Sequence, residues 1–478
     1  TEAVMARLRY QPAAALREDL AVLKKALKAL HPGLYRYNDE ADIDRFFEML
    51  EAEVAGGMDI RAFYAGLSEL LARIRCGHTY ANPYNQPGLV QQFVIERADK
   101  LPFAFRIVDK RMIITGNASD DERFQRGTEI LQIDDVPVAT LLERTMQLVK
   151  ADGSNDDKRL YDLQVRGYGE FESFDVYFPL LFPPENGKYH ITAKPHGAEN
   201  AFIATVKTVD RATRRARLEE RYGSLPTRYE DLWQFEVLNE QTAYLRLGTF
   251  VTWKMEMDWK AFLKRAFKRM EKEELPHLIL DIRGNEGGAD EVIEELGKYL
   301  IKQPVALKGT KSLLRYQRVP DELRPYLGAW DETYFDISAQ VEPAGEGYYR
   351  QKDDDFGPIE LPAGKRAYAG KIYLLIDAGN SSATFLLSRM ARESGAATLV
   401  GQETGGSRRG INGGMMFMLR LPNSRIEVDI PLIGTFPLSD QPDRGLQPDI
   451  VVAPNVADVA QGIDTELKAV LELIRGAE

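Results

Sequence analysis

The second half of the chain alternates apolar, strand-like runs with amphipathic helical runs, and this alternation limits the folds open to it. Two of the apolar runs end in turns rich in glycine or serine, "HLILDIRGNEGG" and "KIYLLIDAGNSSATFLLSRM". Alternation of strands and helices predicts a sheet with helices packed on it and ligand sites at the carboxyl ends of its strands. We therefore expect an α/β core over residues 236–456, interrupted by an insertion at about 302–366.

The rest of the chain predicts a multidomain α+β arrangement around this core. Residues 1–95 carry apolar side chains at helical spacing and predict a helical N-terminal domain. Residues 96–155 combine short β-runs, the turn "IDDVPV" and one helix, and predict a compact β-rich module. Residues 156–235 hold aromatic β-runs such as "FESFDVYFPLLF", then the charged stretch "RATRRARLEERYGSLP", and predict a connecting β-rich segment with a solvated helix or linker. Residues 457–478 predict a C-terminal helix.

Composition excludes several classes of protein. The net charge of -11 argues against nucleic acid or an anionic membrane as the main partner, and no apolar run is long enough to span a bilayer. The single cysteine, Cys76, excludes an internal disulfide and a cysteine-cluster zinc site. There is no His-Glu-x-x-His and no phosphate-binding Gly-Lys-Ser/Thr motif, so we expect neither metal nor cofactor. The chain starts at Thr1 without Met, which favours a removed leader, and export if that leader was a signal peptide.

The serine-rich turn allows two interpretations. Ser381 is the expected N-cap of the following helix, which places Ser382 one residue into that helix. The plain interpretation is a capped helix with a spare serine. The chemical one is a nucleophile, Ser382, with the N–H of Ala383 beside it.

The glycine-rich turn can complete such a site. Gly287 and Gly288 let the backbone approach a ligand closely and turn an N–H outward, so this turn and Ala383 together would form an oxyanion hole. A tight connection between a strand and a helix explains the same glycines without any chemistry.

A serine nucleophile needs a base. No lysine occurs between Lys371 and Lys468, and Ser407 stands where a lysine base would sit, so a histidine is required. His78 lies in a polar turn, "CGHTYANP", directly after an apolar helix, which makes it the candidate, although an ordinary hydrogen-bonded histidine is the competing interpretation. The other histidines are predicted at a helix end (His31), in β-runs (His190 and His196) and at the start of a strand (His277).

Four segments follow one another along the chain: "HLILDIRGNEGG", "KIYLLIDAGNSSATFLLSRM", "ATLVGQETGG" and "GLQPDIVV". In order and spacing they resemble those of the C-terminal processing, or tail-specific, serine peptidases. The upstream "LSELLARIRCGHTY" and the absent lysine resemble the branch typified by the tricorn protease core, and "LKALHPGLYRY" is similar to secreted bacterial members. The resemblance runs from about Leu20 to Pro454 and is weakest over 196–235 and 302–366.

The resemblance implies a PDZ-like module near 100–150, able to bind a peptide at a strand edge, and a crotonase/ClpP-like β/α core. The site it implies has Ser382 as nucleophile, His78 as base, Asp440 as the acid of the relay, and the oxyanion donors Ala383, Gly287 and Gly288. Asp443 and Glu403 are alternatives for the acid, and both aspartates could instead shape a turn. The chain departs from the branch at Gly77, where a serine is expected, and at Cys76, where an acid is common.

The predicted function is that of a serine endopeptidase or C-terminal processing peptidase, which cleaves peptides or unfolded proteins through an acyl-enzyme. Its expected location is periplasmic or extracellular. One alternative is a catalytically inactive peptide-binding protein on the same scaffold. The other is a crotonase-type acyl-CoA enzyme, which would use the same glycine-turn oxyanion hole without a serine nucleophile.

Overall fold

The computed structural model describes residues 9–354 and 356–476. The chain divides into two compact units. The first unit contains the residues up to 221, together with 311–356 and 410–436, and the second contains 222–310, 357–409 and the residues from 437 onward.

Helices occur in both units. In chain order they are α1 (Ala13–Leu30), α2 (Glu40–Glu53), α3 (Ile60–Arg73), α4 (Gly88–Val90), α5 (Val138–Met146), α6 (Asp156–Asp162), α7 (Ser173–Leu181), α8 (Arg211–Tyr222), α9 (Trp259–Lys272), α10 (Glu291–Leu300), α11 (Ala383–Glu393), α12 (Val456–Gln461) and α13 (Thr465–Gly476).

Strands are numbered in the same way. They are β1 (Tyr10–Gln11), β2 (Met58–Asp59), β3 (Phe103–Val108), β4 (Arg111–Asn117), β5 (Glu129–Ile133), β6 (Val136–Pro137), β7 (Lys188–Lys194), β8 (Phe202–Lys207), β9 (Trp233–Asn239), β10 (Thr242–Leu247), β11 (His277–Asp281), β12 (Val305–Leu307), β13 (Thr310–Leu313), β14 (Leu327–Ala329), β15 (Val341–Gly345), β16 (Tyr348–Gln351), β17 (Ile359–Leu361), β18 (Lys371–Ile376), β19 (Thr398–Gly401), β20 (Asn412–Arg420), β21 (Glu427–Pro437) and β22 (Ile450–Val451).

The first unit begins with three helices, as the apolar spacing predicts. The leucines at positions 16, 20, 23, 27 and 30 lie on one face of α1 and are fully buried. The helix α1 ends at His31, directly before Pro32. The helix α2 starts with a capping box between Asp39 and Asp42, in which each side chain accepts the other residue's N–H.

A sheet in the order β3-β4-β5-β7-β8 forms the rest of the first unit's N-terminal part. Its β5–β6 turn is the predicted "IDDVPV" turn, and both aspartates there, Asp134 and Asp135, have positive φ. The prediction that "FESFDVYFPLLF" is a β-run is wrong, because this stretch forms α7. Rings four residues apart, Phe174 and Phe178, stack at 4.5 Å on one helix face, so burial favours the helix over the β-preference of aromatic residues.

The predicted insertion also contains ordered strands, from β12 to β17. The strands β13, β21, β20 and β14 form a four-stranded sheet, in which β20 and β21 are the predicted hairpin. Among the described residues, no helix combines the length and the apolar character needed to cross a membrane.

The second unit is the predicted α/β sheet, and the multidomain α/β class is thereby confirmed. Its strands follow the order β22-β19-β18-β11-β10-β9 and run parallel except at β9. The neighbouring strands β11 and β18 are in register, with Asp281 opposite Leu375. Because both end at the same edge of the sheet, the glycine-rich turn after β11 and the serine-rich turn after β18 leave it side by side.

Candidate active site

The serine-rich turn connects β18 to α11 within the second unit. Ser382 occupies the N-cap position of α11, one residue later than predicted, so the assignment of the N-cap to Ser381 is wrong. The Ser381 carbonyl closes a turn by accepting the Thr384 N–H at 3.2 Å, and the first bond of α-helical spacing runs from Leu386 N–H to the Ser382 carbonyl at 3.1 Å. The N-cap is therefore the residue whose carbonyl accepts that first helical bond.

Ser382 has a backbone conformation that is rare for a residue with a side chain. Its φ is 51° and its ψ is −127°. Such a conformation costs of the order of 1–3 kcal/mol and persists only where the surrounding structure enforces it. The side chain is half-buried and makes no capping hydrogen bond, so its hydroxyl is not used to stabilise the helix.

Buried polar side chains hold the serine-rich turn against the glycine-rich turn. The Asn380 Nδ2 donates to the carbonyls of Ile282, at 2.5 Å, and Asn285, at 3.1 Å. The Thr384 hydroxyl donates to the same Asn285 carbonyl at 2.7 Å. The Asp377 carboxylate accepts the Gly284 N–H at 2.9 Å. These bonds fix both turns in one rigid arrangement, which is how the strain at Ser382 can be maintained.

The glycine-rich turn needs its glycines for two different reasons. Gly287 has a φ of 105°, and a Cβ there would lie 2.8 Å from the Ser382 Cβ and 2.9 Å from the Ala383 nitrogen. Gly288 has a φ of 139°, and a Cβ there would lie 2.2 Å from the carbonyl carbon and oxygen of Phe250. The turn is therefore in direct contact with Ser382 on one side and with the segment at Phe250 on the other.

Two N–H groups of these turns have no hydrogen-bond partner among the residues that the structure describes. The Gly287 N–H donates to Asn285 Oδ1 at 2.9 Å. Gly288 forms a parallel bridge to Phe250 through the bonds of its neighbours, Phe250 N–H to the Gly287 carbonyl and Ala289 N–H to the Phe250 carbonyl. This leaves the N–H groups of Gly288 and Ala383 without a hydrogen-bond partner among the described residues. Such N–H groups are the donors that an oxyanion needs.

Asp281 and Arg283, at the end of β11, form a buried ionic network. Asp281 accepts from Arg283 at 2.6 Å, from Arg246 at 3.0 Å and from the Tyr244 hydroxyl at 2.7 Å. Burial alone would raise the pKa of Asp281, but the two guanidinium groups outweigh it and lower that pKa to about 2. Arg283 also binds Asp464 at 2.7 Å, so the network ties the strand end to the start of α13.

His78 lies in the first unit, in the turn that follows α3. The edge of its imidazole faces β20, where a Cβ on Gly413 would lie 3.9 Å from Cε1 and 4.0 Å from Nε2. Its Nδ1 is buried without a hydrogen-bond partner among the described residues. Burial lowers the pKa of His78, Asp152 opposes that effect, and Lys150 and Lys158 add to it.

His31 is held in a different way, at the end of α1 as predicted. Its Nδ1 accepts the Gly33 N–H at 3.1 Å, and its Nε2 is 2.8 Å from the Thr79 hydroxyl. Burial lowers the pKa of His31 to about 3. Both ring nitrogens are therefore occupied by structural bonds. His190 lies on β7 beside Asp134, and His277 opens β11, both as predicted. The prediction of a β-run at His196 is wrong, because this residue lies in the turn after β7.

The three acids considered for the relay lie in the second unit. Asp440 is exposed. Asp443 is 3.4 Å from the hydroxyl of the buried Ser407, which stands at the position considered for a lysine base. Glu403 accepts from Arg444 at 2.7 Å and from Gln447.

A fourth carboxylate, Asp152, was not singled out from the sequence. It accepts the N–H of Gly77, the residue before His78, at 2.8 Å. The surrounding sequence, "KADGSND", has the composition of an ordinary polar turn, so it does not indicate that Asp152 contacts the residue before His78. Among the described residues, no group of three or more His, Cys, Asp or Glu side chains could hold a metal ion.

Comparison with known proteins finds a family model that matches part of this chain. Residues 241–452 match the family model of peptidase family S41. The fold is similar to mature CPAF complexed with lactacystin (14% identity, TM-score 0.63, 94% of this chain and 95% of that chain) and to mature CPAF alone (14% identity, TM-score 0.62, 94% of each chain). The photosystem II D1 C-terminal processing protease also matches (14% identity, TM-score 0.42, 93% of this chain and 96% of that chain). A comparison with curated proteins finds no match. The predicted resemblance is confirmed: residues 241–452 are similar to the proteins described by the peptidase family S41 model.

Proposed function

We propose that this protein is a serine peptidase that cleaves peptide bonds in peptides or unfolded proteins through an acyl-enzyme, with Ser382 as nucleophile. The observation that carries the proposal is the strained Ser382, whose hydroxyl makes no capping bond. Beside it, the N–H groups of Ala383 and Gly288 have no described partner. Strain at a half-buried serine, next to unoccupied donors, is the arrangement that acyl transfer requires.

The proposed reaction starts with attack of the Ser382 hydroxyl oxygen on the scissile carbonyl carbon, while a base removes the hydroxyl proton. The N–H groups of Ala383 and Gly288 stabilise the negative oxygen of the tetrahedral intermediate. Collapse of this intermediate breaks the C–N bond, and the leaving amine takes the proton from the base. Water then attacks the acyl-enzyme by the same route and restores the free serine. Gly287 is not an oxyanion donor in this proposal, because its own N–H already donates to Asn285. Its contribution is the absence of a side chain, which lets the turn pack against Ser382.

We propose His78 as the base. Its lowered pKa supports this role, because the imidazole is then neutral, and able to accept a proton, at neutral pH. His31 is the weaker candidate, since its two ring nitrogens are occupied by Gly33 and Thr79. The proposal requires Nε2 of His78 to reach the Ser382 hydroxyl in the working enzyme. Asp440 remains the acid that the resemblance implies, because Glu403 and Asp443 have other partners.

Labelling with a fluorophosphonate probe tests the nucleophile. We expect the probe to modify a single serine, identified as Ser382 by peptide mass spectrometry, and Ser382→Ala to lose both labelling and hydrolysis of an unfolded protein substrate. Ser381→Ala is the matched control, since it removes the neighbouring hydroxyl. Labelling of another serine, or hydrolysis by Ser382→Ala, contradicts the proposal. An intact protein without any labelling supports a peptide-binding protein or an acyl-CoA enzyme instead.

We also propose that residues 96–155 belong to a PDZ-like module that binds peptide substrates, and that the protein works in the periplasm or outside the cell. The proposal of a PDZ-like module rests on the short strands and the single helix of this region. The proposed location rests on the likeness of "LKALHPGLYRY" to secreted members of the family that the sequence resembles. Binding of unfolded substrate to the full-length Ser382→Ala protein tests the first, and fractionation of the cells that produce the protein tests the second.

A further inference from the structure

Asp152 is a buried carboxylate beside the candidate base. Its side chain is in the first unit, as is His78, and the residue is only 3% exposed. One carboxylate oxygen, Oδ1, accepts the Gly77 N–H at 2.8 Å. Gly77 directly precedes His78, so this bond holds the peptide group between Cys76 and Gly77, one residue before the histidine.

The position of Asp152 also explains why residue 77 is a glycine. A Cβ on Gly77 would lie 2.8 Å from Oδ2 and 3.1 Å from Cγ of Asp152. The φ of Gly77 is not positive, so the backbone itself would accept a side chain. The carboxylate occupies the volume that this side chain would need. The observed position of the Asp152 carboxylate therefore requires a residue without a side chain at position 77.

Three further bonds hold the Asp152 loop in place. The Gly153 N–H donates to the Arg75 carbonyl at 2.9 Å. On the other side, the Arg159 guanidinium donates to the Val149 carbonyl at 3.2 Å and to the Gly153 carbonyl at 3.0 Å. The carboxylate is thus presented by a fixed loop, which is how a positioning group must be held.

The charged groups that affect the pKa of His78 differ in sign. Asp152, Lys150 and Lys158 are the charged groups that act on it, and Asp152 alone is negative. Lys158 forms an ion pair with Asp162 at 2.6 Å, and Lys150 lies over the Tyr80 ring. A histidine that accepts a proton here gains a positive charge in a partly buried place, and the charges of Lys150 and Lys158 oppose that gain. The carboxylate of Asp152 is what can offset that charge.

We propose that Asp152 is the positioning residue for His78: it fixes the backbone directly before the histidine through the Gly77 N–H, and it stabilises the imidazolium through its charge. The catalytic consequence rests on the proposed function, whereas the effect on the imidazole does not. Asp152 touches neither substrate nor reacting atoms in this role. It acts on His78 by its charge and through the Gly77 N–H, whereas the aspartate of a serine peptidase triad accepts a hydrogen bond from the imidazole itself.

The test is Asp152→Asn, which retains an acceptor oxygen for the Gly77 N–H and removes the charge. Titration of the histidine C–H resonances by NMR follows His78, assigned by its absence from the spectrum of His78→Ala. We expect the titration midpoint of His78 to fall. The rate of fluorophosphonate labelling at neutral pH should drop by about 10²-fold, the lower end of what a general base contributes, because the imidazolium that forms in the transition state loses its negative partner. Asp157→Asn, the same change at an exposed residue in the first turn of α6, should move neither value.

A second variant protects the test against a folding defect. Gly77→Ala should displace the Asp152 carboxylate without changing any charge, and it should lower the midpoint of His78 as Asp152→Asn does. An unchanged midpoint in a folded Asp152→Asn protein overturns the proposal. A shifted midpoint in a protein that hydrolyses nothing supports the role of Asp152 and counts against the proposed function alone. Asp440→Asn, measured in parallel, shows whether the acid implied by the resemblance contributes as well.

Discussion

A Cβ added to Gly287 would lie 2.8 Å from the Cβ of Ser382, so the glycine-rich turn and the candidate nucleophile are in van der Waals contact through their backbones. The contact arises because β11 and β18 are neighbouring parallel strands in register, and each ends in one of the two turns. No side chain can be inserted between them without moving Ser382 or the Ala383 N–H. The close packing therefore couples the shape of one turn to the chemistry of the other.

Gly287→Ala should impair hydrolysis more than it impairs folding. The new methyl group would lie 2.9 Å from the Ala383 nitrogen, and loss of one oxyanion donor costs about 10²–10³ in turnover. Steady-state kinetics and a urea unfolding curve measure the two effects. Gly297→Ala is the control: this glycine is inside α10 with no atom within 4 Å of a new Cβ, so activity should be retained and the free energy of unfolding should rise by about 0.5–1 kcal/mol. Near-normal turnover in Gly287→Ala would show that the turn is structural only.

Two replacements of Ser382 distinguish the effect of its backbone strain on stability from the effect of its hydroxyl on catalysis. Both Ser382→Ala and Ser382→Gly lack the hydroxyl and should be inactive. Only glycine adopts a φ of 51° without steric cost, so Ser382→Gly should be more stable than Ser382→Ala by about 1 kcal/mol. Chemical denaturation of the two variants measures this difference. Equal stability would mean that Ser382 is not strained.

The sequence predicts the second unit well because its signals are local. Apolar runs that end in Asp281 and Ile376, each followed by a polar turn and an amphipathic helix, are enough to define strands, turns and helices. The N-cap was misplaced by one residue because Ser381 and Ser382 are equally good capping residues in sequence. What decides between them is the bond of Thr384 to Asn285, which depends on a turn almost one hundred residues away in the chain.

Tertiary context explains the other differences. The stretch around Phe174 has the composition of a strand, yet it forms a helix whose stacked rings are buried in the first unit. Asp152 could not be found at all, since its partner Gly77 lies seventy-five positions earlier and a polar turn looks the same with or without that contact. Long-range polar contacts of this kind leave no periodic pattern to detect.

His78→Ala should lower turnover by about 10²–10⁴, the usual contribution of a general base. The pH dependence distinguishes this base from a lysine. Because burial lowers the pKa of His78 below its ordinary 6.5, the rate should rise on the acid side of that value and be level at neutral pH. A rise only at alkaline pH would contradict the assignment. His190→Ala is the control, because this imidazole is exposed on β7 and its loss should leave the profile unchanged.

The buried ion pair of Arg214 and Asp175 should contribute more to the free energy of unfolding than the more exposed ion pair of Arg215 and Glu219 on α8, the helix that carries Arg214. Its two bonds, at 2.8 and 2.5 Å, are shielded from solvent at both ends. Asp175→Ala leaves a buried guanidinium without its carboxylate and should cost about 3–5 kcal/mol of the free energy of unfolding. Glu219→Ala removes the partner of Arg215 on the outer side of the same helix and should cost about 0.3–0.5 kcal/mol. Similar losses in the two variants would contradict the difference in burial.

Asp429 should make the stability of the protein fall as the pH rises from about 4 to about 6. Its carboxylate is buried on β21 and accepts from the amides of Asn82, at 2.7 Å, and Asn85, at 2.9 Å. Burial raises the pKa of Asp429 to about 6, although both amide bonds lower it. The folded protein therefore binds this proton more tightly than the unfolded chain does, and its stabilising effect is lost as the pH passes from about 4 through about 6.

The expected size of this effect is about 3 kcal/mol, because the pKa differs by about two from the ordinary value of 3.8 and each pKa unit corresponds to about 1.4 kcal/mol. Urea unfolding at about pH 4.5 and about pH 7 covers roughly 2 kcal/mol of this range, and it is measured in the wild type and in Asp429→Asn. The asparagine cannot ionise, so the part of the pH dependence that Asp429 causes should disappear even if the amide contacts rearrange. Asp157→Asn should keep the wild-type slope, since that carboxylate is exposed. An equal slope in Asp429→Asn and the wild type would mean that Asp429 is already ionised at acid pH in the folded protein.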